Sequence, residues 1–297
     1  MLRRLRNLRE ASKNVFGLNR RNVELVYANN RREDYPIADD KAYTKEILTQ
    51  GGVPVPETIA MCRGLFEVDA VLETLRGRGD FVVKPSRGSG GDGILVVERA
   101  DPEGGWRTPS GRLITPHALR QHIANIGFGA YSKELEDVAL IERRVVPHAF
   151  FRSLWDRGVC DIRVIMLGRT PLMAMIRVPT SKSDGRANLH QGGLGVAVDL
   201  DTGMTVAAST QGRHIARHPE TEEALLGLQV PLWGACLEVC DEAAAAVPLG
   251  YLGVDLVIDE DAGPMVLELN VRPGLEIQNV CRTALGDTLP SQREVSR

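Results

Sequence analysis

Asp255, Glu268 and Asn270 are the residues whose types and spacing most directly suggest chemistry. Two apolar runs, Val254–Ile258 and Met265–Leu269, flank an acidic break that carries Gly263 and Pro264, the pattern of a β-hairpin. A turn centred on Asp261 and Ala262 places Asp255 directly opposite Glu268. Side chains on a strand repeat every second residue, so Asn270 shares a face with Glu268. Like charges set opposite each other destabilise a sheet. Two carboxylates and an amide oxygen together therefore call for a cation. All-oxygen ligation suits Mg2+, with Mn2+ as a substitute, better than zinc. The bland alternative is a solvated edge, and the apolar residues around the trio weigh against it.

A glycine-rich stretch upstream suggests a second function. Gly88, Gly90 and Gly93 satisfy the expression G-x-G-x-x-G, but a dinucleotide fingerprint needs a helix after the glycines, and Ile94–Glu98 reads as strand. No Gly-Lys-Ser/Thr follows to make a Walker A loop. Strand, glycines, strand forms instead a hairpin whose backbone N–H groups, those of Ser89, Gly90 and Gly91 among them, can close over phosphates. Lys84, at the end of the entering strand, can set an ammonium against phosphate oxygens. A plain mobile turn is the alternative; Lys84-Pro85 and the trio downstream favour nucleotide binding.

Between two strand signals, Thr180–Gly193 is dense in hydrogen-bonding groups. Arg186 can grip phosphate or carboxylate bidentately. Asn188 and His190 alternate on one face if the segment is extended, and a surface loop is the competing reading. Asp161 and Arg163 lie on one face of a strand, joined by Arg177 if the next strand pairs in simple register; a buried structural ion pair is the alternative for these.

The elements that must position these groups follow from periodicity. Helices are expected over Lys41–Gln50, Val68–Arg76, His117–Ile126 and Leu232–Val247, and strands over Asp80–Lys84, Ala139–Val146, Asp161–Leu167, Leu172–Val178 and Gly195–Asp199. Val53–Thr58 must be extended, because each proline disfavours helix in the residue before it. Residues 100–137 read as loop-rich apart from their one helix. Strands and helices mix without strict alternation, so the expected class is α+β with mainly antiparallel sheets.

Composition narrows the function further. The chain has 297 residues, 43% apolar and 25% charged, with a net charge of −3, which excludes nucleic-acid binding by the chain as a whole. No run has the length of a membrane span and no apolar signal core opens the chain, so the cytoplasm is the expected compartment. Cys62, Cys160, Cys236, Cys240 and Cys281 are odd in number and scattered, as reduced thiols are. Cys236 and Cys240 sit on a helical apolar stripe, where packing explains them better than metal. Met1–Arg32 is locally basic, with Leu2, Leu5 and Leu8 on one helical face; it could dock on anionic lipid or an acidic partner, or pack on its own domain.

In order along the chain, Asp40-Lys41, Thr44-Lys45, Gly52–Thr58, Phe81–Lys84 with its glycines, Ile141-Glu142-Arg143, Asp161–Arg163, Arg186–His190 with Gly192-Gly193, Gly253–Asp255, and Glu268–Asn270 with Pro273–Glu276 resemble the ATP-grasp superfamily, and within it the RimK-related α-L-glutamate ligase-like proteins. The resemblance implies an ATP-grasp fold over residues 39–297, with a flap subdomain at about 53–140 and a metal-binding subdomain at about 141–290. Residues 1–38 would stand as a reduced N-terminal region, too short for the full N-terminal domain of RimK-like ligases, and residues 100–137 as an extra segment. It implies ATP and Mg2+, with Lys41 and Lys84 on the phosphates and Lys45 as substitute. Glu142, Arg143 and Val145 would lie at the adenine, and Asp161, Arg186 and Asn188 would line the nucleotide. Asp255, Glu268 and Asn270 would hold the metal; Arg163, Arg177, His190 and Arg272 are candidates for substrate. Catalysis would fall to Lys84 and Arg186. The implied reaction is ATP-dependent ligation of an amino-acid or peptide carboxylate to an amine through an acyl phosphate, with glutamate as first candidate. A phosphotransferase, or a nucleotide-sensing protein docked on a membrane partner, is the alternative.

Overall fold

The chain is described from a computed structural model, which covers residues 13–290 except 89, 134 and 184–186. From Val55 to Val146 it forms β1 (Thr58–Cys62), β2 (Phe81–Pro85), β3 (Leu95–Val97), the short β4 (Arg99–Ala100), β5 (Trp106–Arg107) and β6 (Leu113–Ile114), and β7 (Ala139–Arg143). An antiparallel sheet in the order β1-β7-β2-β3 is the frame of this unit, which also takes in residues 39–46. Alternation along β2 divides its faces: Phe81 and Val83 enter the core, while Lys84 points the other way. Helices Val68–Leu75 and Pro116–Gly127 lay Val68, Val71, Leu75, Leu119, Ile123 and Ile126 into that core. Thr115 caps the second helix, its hydroxyl accepting from Ala118 N at 3.1 Å with Pro116 at the first position.

Residues 100–137 were expected to be loop around one helix, and they are more ordered than that. The strands β4, β5 and β6 pair as a small antiparallel sheet. Trp106 leaves it to meet Phe81 edge-on, ring centroids 6.0 Å apart, and its indole N–H donates to Arg78 O at 2.8 Å. The segment thus supplies core, and β7 belongs to this unit by pairing with β1 and β2, so the boundary expected near residue 140 falls after Val146.

The second unit gathers residues 13–38, 47–54 and 147–290. Its sheet comprises β8 (Asp161–Leu167), β9 (Thr170–Val178), β10 (Leu194–Val198), β11 (Thr205–Thr210), β12 (Arg213–Ile215), β13 (Tyr251–Asp259) and β14 (Gly263–Asn270), in the order β12-β11-β10-β9-β8-β13-β14 with every pairing antiparallel. Helix Trp233–Ala246 packs on β8, β9, β13 and β14 through Cys236, Val239, Cys240 and Ala243. Both its cysteines are buried free thiols, Cys236 pushed up to about 12 by burial, which fits packing and not reactivity.

Residues 13–38 pack with this unit: Phe16 is buried, and its N–H and C=O both bond the Gln278 side chain. Leu2, Leu5 and Leu8 lie outside the described residues. No described helix is long and apolar enough to cross a membrane.

If the 100–137 segment is core, Trp106→Ala should cost about 3–5 kcal/mol, read as a lower urea midpoint. A midpoint unchanged from wild type would return the segment to surface decoration.

Candidate active site

Two clusters of charge, one in each unit, gather Lys45, Lys84 and Glu142 in one and Asp161, Arg163, Arg177, Asp255, Glu268 and Asn270 in the other. In the unit built on β2, Val82 pairs with Glu142 and Lys84 with Leu140, so Lys84 and Glu142 are diagonal neighbours on the face turned from the core. Lys84 Nζ lies 2.6 Å from Glu142 Oε2, and Lys45 Nζ donates to Glu142 Oε1. Lys45 rides helix Lys41–Gln50 one turn beyond Lys41. All three charges are buried. Burial would raise the Glu142 carboxyl, but Lys84 and Lys45 reverse this and hold it below the ordinary range. Burial pushes Lys45 down to about 8 against the pull of Glu142, with Lys84 adding to the depression. Two ammoniums flank one carboxylate, leaving a cationic face.

The glycine-rich loop springs from the end of this face and is held at both roots. On the entry side, Lys41 Nζ donates to Gly88 O at 2.6 Å, Lys41 N donates to Ser86 O at 3.0 Å, and Arg87 N donates to both Asp137 oxygens at 3.1 Å. On the exit side, His122 Nε2 lies 2.9 Å from Gly93 O, and Tyr131 packs so closely on Gly93 that a Cβ there would come within 2.6 Å of the ring. Gly90, Gly91 and Gly93 have φ of 67°, 82° and 76°, values that L side chains resist. β3 follows the glycines, as expected for a hairpin flap and not a dinucleotide turn. Ser89 lies outside the described residues. Arg143 N donates to Glu57 O at 2.9 Å, and Val145 sits in the link after β7. His122 and Asp137 were missed from sequence: His122 is one polar residue on an expected helix, and Asp137 stands alone in a stretch read as loop.

In the other unit a polar row crosses one face of β9, β8, β13 and β14. Arg177 pairs with Asp161, Arg163 with Asp255, and Asp255 with Glu268, so the expected hairpin register holds. It is reached through a bulge. Asp259 pairs with Gly263 and Leu256 with Val266, and Leu267 is the extra residue that brings Glu268 opposite Asp255.

Arg163 donates to Asp255 through Nε and Nη2 at 2.7 and 2.6 Å, Arg177 Nη2 donates to Asp255 Oδ2 at 2.7 Å, and Asn270 Nδ2 reaches the same oxygen at 3.2 Å. Arg177 also donates to both oxygens of Asp161, at 2.5 and 2.8 Å. Burial alone would raise Asp255, yet Arg163 and Arg177 bring it down to about 2, while Asp161, where burial prevails over Arg177, rises to about 6. The buried ion pair left open from sequence is therefore present, and it engages Arg163 and Arg177, which were candidates for substrate.

As a metal site the trio fits at one end. Asp255, Glu268 and Asn270 offer oxygen ligands suited to Mg2+, and the row's three carboxylates exceed its two guanidiniums by one negative charge. Glu268 lies across from Asp255 and Asn270 across from Gly253, while Asp255 gives both its oxygens to guanidinium hydrogens. Among the described residues no three His, Cys, Asp or Glu side chains are grouped for a metal.

Arg186 lies outside the described residues. Asn188 and His190 do not alternate along a strand: Leu189–Gln191 is a tight helical turn, and Asn188 Oδ1 caps it, accepting from His190 N at 3.0 Å. A short amide side chain competes well for a free N–H at such a start. His190 is exposed.

The sequence model of the family described as sugar-transfer associated ATP-grasp matches residues 20–291. This chain belongs to that family. A probable alpha-L-glutamate ligase of Xanthomonas oryzae pv. oryzae (strain MAFF 311018) is 25% identical over 272 residues, 91% of this ATP-grasp chain and 70% of that protein. Its namesake from Xanthomonas campestris pv. campestris (strain B100) is 25% identical over 251 residues, and there the match spans 63% of that protein's length. Among solved structures, the ATP-grasp ligase PsnB complexed with minimal precursor is similar over 87% of this chain and 61% of its own, at 14% identity and a TM-score of 0.46. D-cycloserine synthetase DcsG is similar over 86% and 70%, at 16% identity and a TM-score of 0.45.

Two outcomes test this geometry. Asp255→Asn leaves buried guanidiniums without their carboxylate and should cost about 3–5 kcal/mol. Because Asp255 is depressed to about 2 from 3.8, its contribution is present above the ordinary value and lost as pH falls through that window. Urea titrations should show wild type losing more stability than Asp255→Asn between those pH values; equal losses would refute the pairing. His122→Phe, which keeps a ring but no donor, should speed amide exchange across residues 86–94 while leaving global stability nearly unchanged, and unaltered exchange would release His122 from the loop.

Proposed function

We propose that the chain is an ATP-dependent carboxylate–amine ligase, with glutamate as one substrate. The observation that carries this reading is membership of the ATP-grasp family over residues 20–291; the relatives named probable alpha-L-glutamate ligase support the choice of glutamate. A carboxylate oxygen attacks the γ-phosphorus of ATP, the bond to the bridging oxygen breaks, and ADP leaves. The amine nitrogen then attacks the acyl carbon, phosphate departs, and the nitrogen loses a proton.

Lys84 is assigned to the phosphates. Glu142 holds its ammonium in place, so the cation is oriented before nucleotide arrives and the phosphates compete with a single carboxylate for it. Lys41, now on Gly88 O, is the second phosphate cation. The backbone N–H groups of Gly90 and Gly91 are assigned to the same charge. Glu142, Arg143 and Val145 are assigned to the adenine, and Asp161, Arg186 and Asn188 to the lining of the nucleotide site. Glu268 and Asn270 would hold Mg2+, with Asp255 fixing Arg163 and Arg177 beside them; bound there, the ion would neutralise charge on phosphate oxygens.

The test is ATP turnover over a panel of amino acids and acidic peptides, with hydroxylamine as trap. Hydroxamate formed only with a carboxylate substrate is the expected result. Phosphate retained on the substrate would make the protein a phosphotransferase, and ATP binding without stimulated turnover would make it a nucleotide sensor. Glu268→Gln should lower turnover by at least about 100-fold; full activity would remove Glu268 from the metal.

A further inference from the structure

Arg21 is a buried cation to which the described residues bring no carboxylate. It is 4% exposed. Nη1 donates to Pro273 O at 2.6 Å and Nε to Asn22 Oδ1 at 2.9 Å, both neutral acceptors. A guanidinium carries five N–H groups. Nη2 makes no hydrogen bond among the described residues, so that edge of the fork is open to a hydrogen-bond acceptor.

Next to Pro273 along the chain stands Arg272, exposed, its guanidinium 4.9 Å over the Tyr35 ring and in no ion pair with a described residue. Burial lowers the basicity of Arg21; Tyr251 opposes that effect and the charge of Arg272 adds to it. The loop bearing them is fixed in place. Gly253 pairs with Asn270, and its bare Cα lets Pro273 close in; a Cβ there would lie 2.8 Å from Pro273 Cβ. Arg21 itself ends the turn Leu18–Arg21, where the helical stretch passes into the π turn Asn22–Val26. Such turns are rare and concentrate at functional sites. A buried charge with no counter-charge is costly, and an anion on the open edge would remove that cost. Arg163 and Arg177 cannot take this part, because Asp255 and Asp161 already hold them.

We propose that Arg21 and Arg272 form an oxyanion subsite, in which the open edge of Arg21 and the guanidinium of Arg272 bind a carboxylate or a phosphate. As the acid-recognising element of the ligase it rests on the function proposed above; anion binding itself does not. Isothermal titration of the full chain with inorganic phosphate, and separately with glutarate, tests it. Wild type should bind both, and Arg272→Gln, an exposed change that spares the fold, should weaken binding about tenfold. Arg21→Lys, which keeps charge but loses the fork, should weaken it as well, while Arg76→Gln, at an exposed arginine of the other unit, should leave it unchanged. Tighter glutarate identifies a substrate carboxylate as the natural occupant; tighter phosphate identifies free phosphate. No binding by wild type, equal binding by Arg272→Gln, or loss of binding in Arg76→Gln would each overturn the subsite. Anion binding that survives alongside absent ATP turnover would sink the ligase reading alone.

Discussion

A carboxylate held between two cations is the arrangement on which both units depend. Asp255 is buried on an interior strand of its sheet, where a lone carboxylate would be costly, and Arg163 and Arg177 bring it to a stable charge state. Glu142 stands the same way between Lys45 and Lys84. In each case the surrounding register is what makes the compensation work: Arg163 is directly across from Asp255, and Lys84 is one diagonal from Glu142. The apolar residues of the strands fill the faces turned away, so that packing and charge placement are set by the same two-residue period.

The choice of cation separates the two clusters. Arginine stays charged however deeply it is buried and locks a carboxylate with a fork, which suits a permanent frame. Lysine is a single point charge whose state responds to burial, and Lys45 has already moved to about 8. A phosphate-binding face benefits from cations that can exchange one partner for another; a scaffold does not. The row on β9, β8, β13 and β14 therefore reads as the rigid element and the lysine pair as the adaptable one.

Much of this was legible in the residues because strong periodicity and strong chemistry coincided. Helix Lys41–Gln50 and strand Asp161–Leu167 have the ends expected of them, and Arg177 takes the simple register with Asp161. Legibility failed where elements are short or their side chains neutral to pattern. The strands around Trp106 are two residues long, too short to show alternation, although each pairs with its neighbour along the chain. β11 is missed because Thr205–Thr210 is built of small residues that carry no apolar signal. Asn188 is misread because one side-chain hydrogen bond decides between an extended segment and a turn. Arg21 lies in a basic run in which no one arginine stands out, and only tertiary contact with Pro273 sets it apart from its neighbours.

The extra residue in β14 gives the closing hairpin two registers, one for its turn and one for its site. Asp259 and Gly263 follow the register of the turn, Asp255 and Glu268 that of the polar row, and Leu267 absorbs the mismatch. The two ends are thereby free to change length independently. A lineage could lose Leu267 and still keep Glu268 across from Asp255, since Val266 already faces Leu256. The same loss at Leu269 would turn Asn270 to the opposite face of the sheet. Gaps among relatives of this chain should therefore collect on the turn side of Glu268 and be scarce between Glu268 and Asn270.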